Sequence, residues 1–431
     1  MDSDRGATAV PPPAATAGRV RWIVVALLFA ATAINYVDRQ MLGLLKPTLE
    51  LQFGWSEETY ANDIVFTFQL AYAVGYIFFG NIVDRIGARL GYTAAFVIWT
   101  IAHMLHGAAR SVTSFALVRL LLGIGESGNF PAGIKAVTEW FPKKERAFAT
   151  GLFNAGSNVG AIVTPLILPF LVAGFGWRGA FVASGALSLV WLVAWLALYR
   201  RPRESRILSE QELAYIERDP PDTAAKVPWL PLIRRKETWA FAIGKFLTDP
   251  VWWMFLFWLP DFLHKRHGLD LSTFGPPIAI IYIVSDLGSI AGGWLSSHLI
   301  HRGWTINAAR KTTMLVCALA VTPIVFAQHV DSLWLAVAII SLATAAHQAF
   351  SANILTLPSD MFPRKAVGSV IGIGGTAGAV GGMLFSLFVG RVLEQYHVYT
   401  LIFAVAGSLY LIALLIIHLL APRLEEVRLG A

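Results

Sequence analysis

The sequence predicts an all-α membrane protein, with twelve transmembrane helices arranged as two pseudo-symmetric six-helix bundles. Three observations carry that expectation. The 431-residue chain is 56% hydrophobic and 14% charged, with a mean hydropathy of +0.60, too apolar for an ordinary soluble domain. Its apolar residues fall into twelve runs of about 20, the length at which a helix crosses a hydrocarbon core of roughly 30 Å. A charged stretch divides these runs six and six, and short segments after it echo segments before it.

In chain order the runs lie near 21–45, 59–83, 88–109, 113–138, 146–173, 178–199, 238–263, 274–300, 307–328, 331–356, 366–391 and 400–420. The interval 200–236 gathers charge, and its prolines forbid a long helix. Within it, Ser209 followed by Glu212 reads as a capping box opening a short surface helix. The expected organisation is therefore a disordered N-terminal tail (1–20, Ala/Pro-rich), a first bundle (21–199), a linker (200–236), a second bundle (237–421) and a short C-terminal tail (422–431).

Positive charge is retained on the cytoplasmic side of a membrane. The N-terminus, the linker, the C-terminus and the loops near 84–89, 143–146, 302–311 and 364–365 hold most of the 34 Lys and Arg residues. The alternate loops hold only Lys46, Arg110, Arg178, Lys265, Arg266 and Arg391. Both termini are expected in the cytoplasm. The same distribution explains the net charge of +7 without a nucleic-acid partner. Ala31-Thr32-Ala33 imitates a signal-peptide cleavage site, but cleavage there would leave an odd number of spans. The single cysteine, Cys317, has no internal disulfide partner and reads as a packing residue; no cofactor or metal site is expected.

An internal duplication supports the two-bundle arrangement. Trp140-Phe141-Pro142-Lys143-Lys144-Glu145-Arg146-Ala147 is echoed by Met361-Phe362-Pro363-Arg364-Lys365-Ala366, and Gly80 to Arg89 more faintly by Gly293 to Arg302. Duplicated bundles of this kind hold substrate near the midplane between the halves and work by rocking one half against the other.

Ionisable residues at membrane depth mark function or a partner, because a charge at the bilayer centre costs about 2.5–3.5 kcal/mol on insertion scales. Four stand far from helix ends in the first half: Asp38, Arg39, Arg119 and Glu126. Neighbours on a helix do not face one another, so Asp38 and Arg39 look in different directions. Arg119 and Glu126 share a face two turns, about 10 Å, apart. The economical arrangement sets the first span against the fourth, with the two acids and two bases forming one neutral cluster beside a cavity. A permanent salt-bridge staple is the alternative, although buried pairs are poor stabilisers. An exchangeable pair supports symport: when an anion takes over the Arg, the freed acid prefers to be protonated, and anion and proton bind cooperatively.

In the second half Lys245, Asp249, Asp286, His347, Gln348, Ser351 and Asn353 are the polar residues at membrane depth. His347 stands as far beyond Glu126 as Met361 stands beyond Trp140, so it occupies the equivalent place in the repeat and is expected to face the cavity. Gln348, Ser351, Asn353 and Thr376 are candidates to hydrogen-bond substrate hydroxyls, or else to bond neighbouring helices. Among the aromatics Tyr36, Tyr72, Tyr76, Trp252 and Trp253, the best placed to stack on a sugar ring are Tyr36 and Tyr76. Gly125-Glu126-Ser127-Gly128 matches a short serine-protease pattern, but a duplicated twelve-helix chain is the wrong context for that chemistry.

The loop Gly80 to Arg89, as G-x-x-x-D-R-x-G-x-R, resembles the signature loop of the major facilitator superfamily. NYVDRQ (35–40), RLLLGIGESGNFPAGIKAVTEWFPKKERA (119–147) and FNAGSNVGAIVTPLI (153–167) resemble its anion:cation symporter branch. KFLTDPVWWMFLFWLP (245–260) and AHQAFSANILTLPSDMFP (346–363) look like the bacterial hexuronate (galacturonate/glucuronate) transporters, with galactonate transporters as close relatives. The resemblance implies the major facilitator fold and a cytoplasmic gate at Asp84, Arg85 and Arg89. It also implies proton sites at Asp38 and Glu126 supported by Arg119, carboxylate recognition by Arg39, and hydroxyl recognition from the fifth span at Ser157, with Asn158 beside it. Galactonate-type members carry Gln where Ser157 stands here.

The sequence thus leads to a proton-coupled symporter of the inner membrane, not an enzyme. Its expected partners are a small anionic sugar acid, protons and the lipid bilayer, and a monomer is the family expectation. A sodium-coupled or exchanging organic-anion carrier of the same fold is the alternative, and a non-transporting membrane sensor a more distant one.

Overall fold

A computed structural model describes residues 18–219 and 229–427. Most of the expected tail, 1–17, lies outside the described residues, as do 220–228 of the linker and 428–431 at the C-terminus. Among the described residues the secondary structure is helical throughout, without a strand.

Span 1 is Val20–Phe53. A continuous helical path from Glu57 through a π-helical turn, Tyr60–Val65, to Leu105 reverses at Gly87 and so forms spans 2 and 3. Val112–Glu126 and Asn129–Trp140 make span 4. Lys143–Leu198 reverses at Gly176 to form spans 5 and 6. Span 7 is Lys236–His267 and span 8 Gly275–His301. Ile306–Val321 with Thr322–His329 makes span 9, and Leu333–Ile354 with Leu357–Met361 makes span 10. Spans 11 and 12 are Arg364–Tyr396 and Thr400–Leu420. Taken undivided, seven described helices are long and apolar enough to cross a membrane, eight with the bent 57–108 stretch. Dividing at the two reversals and adding the more charged spans 4 and 7 gives twelve.

The reversals have a local cause. Gly87 (φ 82°, ψ 166°) and Gly176 (φ 67°, ψ 170°) adopt left-handed backbone that a residue with a Cβ reaches only at a cost. In span 4 the helix breaks at Ser127–Gly128 because Pro131 offers no N–H to the carbonyl of Ser127.

Packing repeats between the halves. Span 1 lies along span 5 as span 7 lies along span 11, and span 4 packs on the hairpin of spans 2 and 3 as span 10 packs on span 8. Most polar links between the halves among the described residues gather toward one end of the bundle, around 46–69, 257–265 and 386–399, with Asn158 and Asp286 meeting nearer its middle. At that end Lys46 meets Asp261 at 2.7 Å, the Tyr60 hydroxyl donates to the Phe257 carbonyl at 3.1 Å, and the Glu57 N–H donates to Glu394 at 2.8 Å.

The short linker helix forms as expected at Glu210–Ile216, with Ser209 Oγ accepting from the Glu212 N–H at 3.2 Å. The expected return bond of the capping box is replaced. The Glu212 carboxylate accepts instead from the N–H groups of Val20 and Arg21, both at 3.3 Å, and from the Arg21 guanidinium at 3.0 Å. An acid at the N-terminus of span 1 satisfies donors that would otherwise be orphaned there.

Candidate functional site

Between the halves lies a cavity of about 280 Å³. Span 1 contributes Tyr36 and Arg39, and spans 2, 4 and 5 contribute Tyr72, Phe130, Asn154 and Ser157. Span 7 contributes Lys245, Asp249, Trp252 and Trp253, and span 10 contributes His347, Gln348 and Ser351. The lining mixes two cations, one acid, hydroxyl and amide groups, and aromatic faces, suited to an anionic, hydroxylated guest.

Tyr36 is positioned by close helix packing. A Cβ on Gly160 of span 5 would run into the Ala33 carbonyl and the Tyr36 side chain, so only glycine lets spans 1 and 5 approach closely there. Arg39, two turns before Lys46 on the same helix, is 2% exposed. Its Nε and Nη2 donate to Glu126 Oε2 at 3.0 and 2.7 Å, and Nη2 also donates to Asn35 at 3.3 Å. The rings of Tyr36, Phe68, Tyr72 and Trp253 surround the guanidinium at 4.9–5.3 Å. Trp253 comes from the second half. Among the described residues Glu126 Oε1 has no hydrogen-bond partner.

The expected four-charge cluster is only partly assembled. Arg39 and Glu126 pair, but Asp38 turns away into the first half, as its adjacency to Arg39 requires. His103 Nε2 on span 3 stands 3.3 Å from Asp38 Oδ1 while bonding Ser184 Oγ at 2.8 Å, and neither Asp38 oxygen has a hydrogen-bond partner among the described residues. Arg119 makes no ion pair with any described carboxylate. Its guanidinium lies 4.1 Å over the Phe68 ring, with Nε and Nη2 unpartnered among the described residues. One phenyl ring therefore serves Arg39 and Arg119 together. Asp38, Arg119 and Glu126 do not line the cavity; they form its buried backing.

Of the polar candidates, Tyr36, Arg39, Ser157, His347, Gln348 and Ser351 line the cavity, and Tyr76, Asn158, Asn353 and Thr376 do not. Asn353 donates to the Gly292 carbonyl at 3.0 Å and the Ala349 carbonyl at 2.9 Å, joining spans 8 and 10. The Thr376 hydroxyl donates to Gly372 of its own helix at 3.0 Å. Asn158 reaches Asp286 on span 8, and Tyr76 packs beside Tyr72 with centroids 6.3 Å apart. His347 stacks on Trp252 with centroids at 5.4 Å, and its Nδ1 meets the Tyr410 hydroxyl at 2.5 Å.

In the loop between spans 2 and 3, Asp84 lies 3.5 Å from Lys135 and Arg89 donates to the Leu196 carbonyl at 2.7 Å. The Arg201 guanidinium approaches Gly87 from the linker side, and Arg85 is exposed. These residues lie at the end opposite the inter-half links.

Sequence reasoning passes over His103 and Asn35, and over a second buried centre at the linked end. There Lys46, fully buried, meets Glu50 at 2.5 Å, Glu57 at 3.0 Å and Asp261 at 2.7 Å. Lys265 also pairs with Glu57 and, at 3.0 Å, with Asp261 Oδ2, the oxygen not taken by Lys46, which also accepts from the Tyr399 hydroxyl at 2.5 Å. A histidine at depth in span 3 is the available signal for His103. Lys46 resembles an ordinary loop charge.

Residues 28–386 match the Major Facilitator Superfamily profile. The chain is 31% identical over 406 residues to the hexuronate transporter of Escherichia coli K12, covering 92% of this chain and 93% of that protein. It is 30% identical to the galacturonate transporter of Dickeya chrysanthemi, covering 70% and 88%, and 28% identical to the D-galactonate transporter of Escherichia coli O6:H1, covering 90% and 92%. Among solved structures, a bacterial homologue of the human lysosomal transporter Spinster, inward-facing and occupied, superposes with a TM-score of 0.71 at 20% identity, covering 94% and 96%. That likeness supports the fold alone. A duplicated helical bundle around a central cavity and a profile match over most of its length lead to one conclusion: this multi-pass membrane protein belongs to the Major Facilitator Superfamily and is a transporter, not an enzyme.

Proposed function

We propose that the protein is a proton-coupled symporter of the inner membrane, with both termini cytoplasmic, that imports a monoanionic hexuronate such as galacturonate or glucuronate. The observation that carries this reading is the Arg39–Glu126 pair at the cavity wall, in which one carboxylate oxygen accepts both guanidinium bonds. A sugar carboxylate arriving in the cavity competes for the same guanidinium fork. Displaced, Glu126 is a buried carboxylate without its counter-ion, and it binds a proton in preference. Anion and proton then favour each other's binding, which is the thermodynamic content of symport.

Asp38 is the second proposed proton site, with His103 as its neighbour, and Arg119 supports the network. Tyr36, Ser157, His347, Gln348 and Ser351 receive the sugar hydroxyls, and the Asp84, Arg85 and Arg89 loop belongs to the cytoplasmic gate. With the Lys46 end outermost, the conformation is inward-facing. The names of the hexuronate and galacturonate transporters resembled by this chain support the substrate class.

Transport by reconstituted Glu126→Gln tests the coupling. Counterflow exchange of galacturonate should persist at a rate within about threefold of the parent, while accumulation driven by a pH gradient disappears; normal accumulation would sink the proposal. Asp38→Asn should show the same dissociation. Loss of both activities would instead assign Asp38 a structural role.

A further inference from the structure

The two walls of the cavity each carry an ion pair, and the pairs are differently presented. Arg39 and Glu126 have side chains 2% and 0% exposed. Lys245 and Asp249, one turn apart on span 7, meet at 2.8 Å with side chains 11% and 20% exposed, and both line the cavity. The charged pair more open to the cavity is therefore on the second half.

Its carboxylate has a prepared seat. A Cβ on Gly378 of span 11 would run into Asp249 Oδ2, and one on Gly381 would meet the Phe246 carbonyl and Pro250. Glycines on span 11 thus bring the two helices together and leave a gap into which the carboxylate fits. Trp252 and Trp253 flank it on the cavity lining, and Trp252 is braced by His347, itself bound to Tyr410. A buried ion pair is no more stabilising than apolar residues of the same volume, and at membrane depth such residues are kept for function.

The chemistry of this pair differs from that of Arg39. An ammonium offers only donors and a carboxylate only acceptors. Side by side on a lining they share with Trp252 and Trp253, they match neighbouring hydroxyls, one accepting a bond from lysine and another donating to aspartate. The pair is neutral and exerts little net pull on an anion. A second carboxylate placed there would face Asp249 directly, and like charges in a low-dielectric site repel strongly.

We propose that Lys245 and Asp249 read the hydroxyl end of the substrate and exclude a second carboxylate, so that the transporter accepts monocarboxylate sugar acids and refuses dicarboxylate ones. The inference rests on the reading that Arg39 takes the first carboxylate. Specificity here is an unfavourable contact for the wrong guest as much as a favourable one for the right guest.

The test is competition against labelled galacturonate in proteoliposomes by galactarate, the corresponding dicarboxylate, and by galacturonate analogues each lacking one hydroxyl. Galactarate should compete at least about tenfold more weakly than galacturonate, and at least one deoxy analogue should lose about tenfold, since an unpaired buried charged partner is left behind. In Asp249→Asn the galactarate-to-galacturonate ratio should narrow by about tenfold, while Lys245→Gln should weaken galacturonate itself. Size-exclusion profiles check that each variant is folded; if neither is, the wild-type analogue series decides alone. Equal competition by galactarate and by every deoxy analogue, or an unchanged ratio in folded Asp249→Asn, would overturn the inference while leaving hexuronate transport intact. A wild-type protein that neither binds nor moves galacturonate would remove the proposed function and this inference with it.

Discussion

Arg39 and Lys46 stand two turns apart on one helix, about 10 Å along its axis, both buried and both held by acids from other segments. Among the described residues Arg39 has a single carboxylate, Glu126, from its own half, and four aromatic faces around it. Lys46 has three carboxylates, one of them, Asp261, from the opposite half. The difference teaches what each base is built to do. One carboxylate can be exchanged for another, and the aromatic faces, worth roughly 0.5–2 kcal/mol each, keep the cation solvated during the exchange. Three carboxylates, two of them shared with a second lysine, make a redundant clamp that holds two bodies together.

The comparison breaks most sharply at Arg39. Arg39→Ala should reduce galacturonate affinity at least about 100-fold, in keeping with loss of a charge-assisted, two-pronged contact; a titration showing unaltered affinity would remove Arg39 from the site. At Lys46 the effect should fall on conformation. Lys46→Met leaves Glu57 and Asp261 to Lys265 alone and Glu50 without its cation, and removal of one partner from a buried cluster costs about 3–5 kcal/mol. That approaches the shift needed to invert a two-state population. Spin labels at Leu51 and Asp270, with buried Cys317 replaced by Ser, should report longer distances than in the parent, and unchanged distances would deny the clamp. The smallest effect belongs to Thr376, whose hydroxyl is spent on its own helix: Thr376→Ala should leave galacturonate affinity within about twofold.

The twelve spans were legible because a bilayer demands long apolar runs and penalises every exception. The exceptions themselves, Asp38, Arg39, Arg119 and Glu126, were legible for the same reason. Their partners were not. Whether Arg119 faces a carboxylate or the ring of Phe68 depends on the rotation of span 4 against span 2, and local sequence does not encode that rotation. Asp38 meets His103, on a span that the charge argument does not reach. Asn353 and Thr376 illustrate the ambiguity of polar side chains in membranes, where the backbone of the nearest helix competes with any ligand for the same donor. Lys46 reads as a loop charge because its place near the end of an apolar run conceals how tightly the second half closes over it.

The four buried charges of the first half, Arg39 on the cavity wall and three behind it, have a consequence for voltage. With both acids ionised, Asp38, Arg39, Arg119 and Glu126 sum to zero, and the Lys245–Asp249 pair adds nothing. One proton entering with one monoanionic sugar acid leaves the loaded carrier neutral, indifferent to the membrane potential. Two protons with the same anion leave one positive charge to cross, a step worth about 2.3 kcal/mol for each 100 mV. The electrical current accompanying uptake therefore counts the protons.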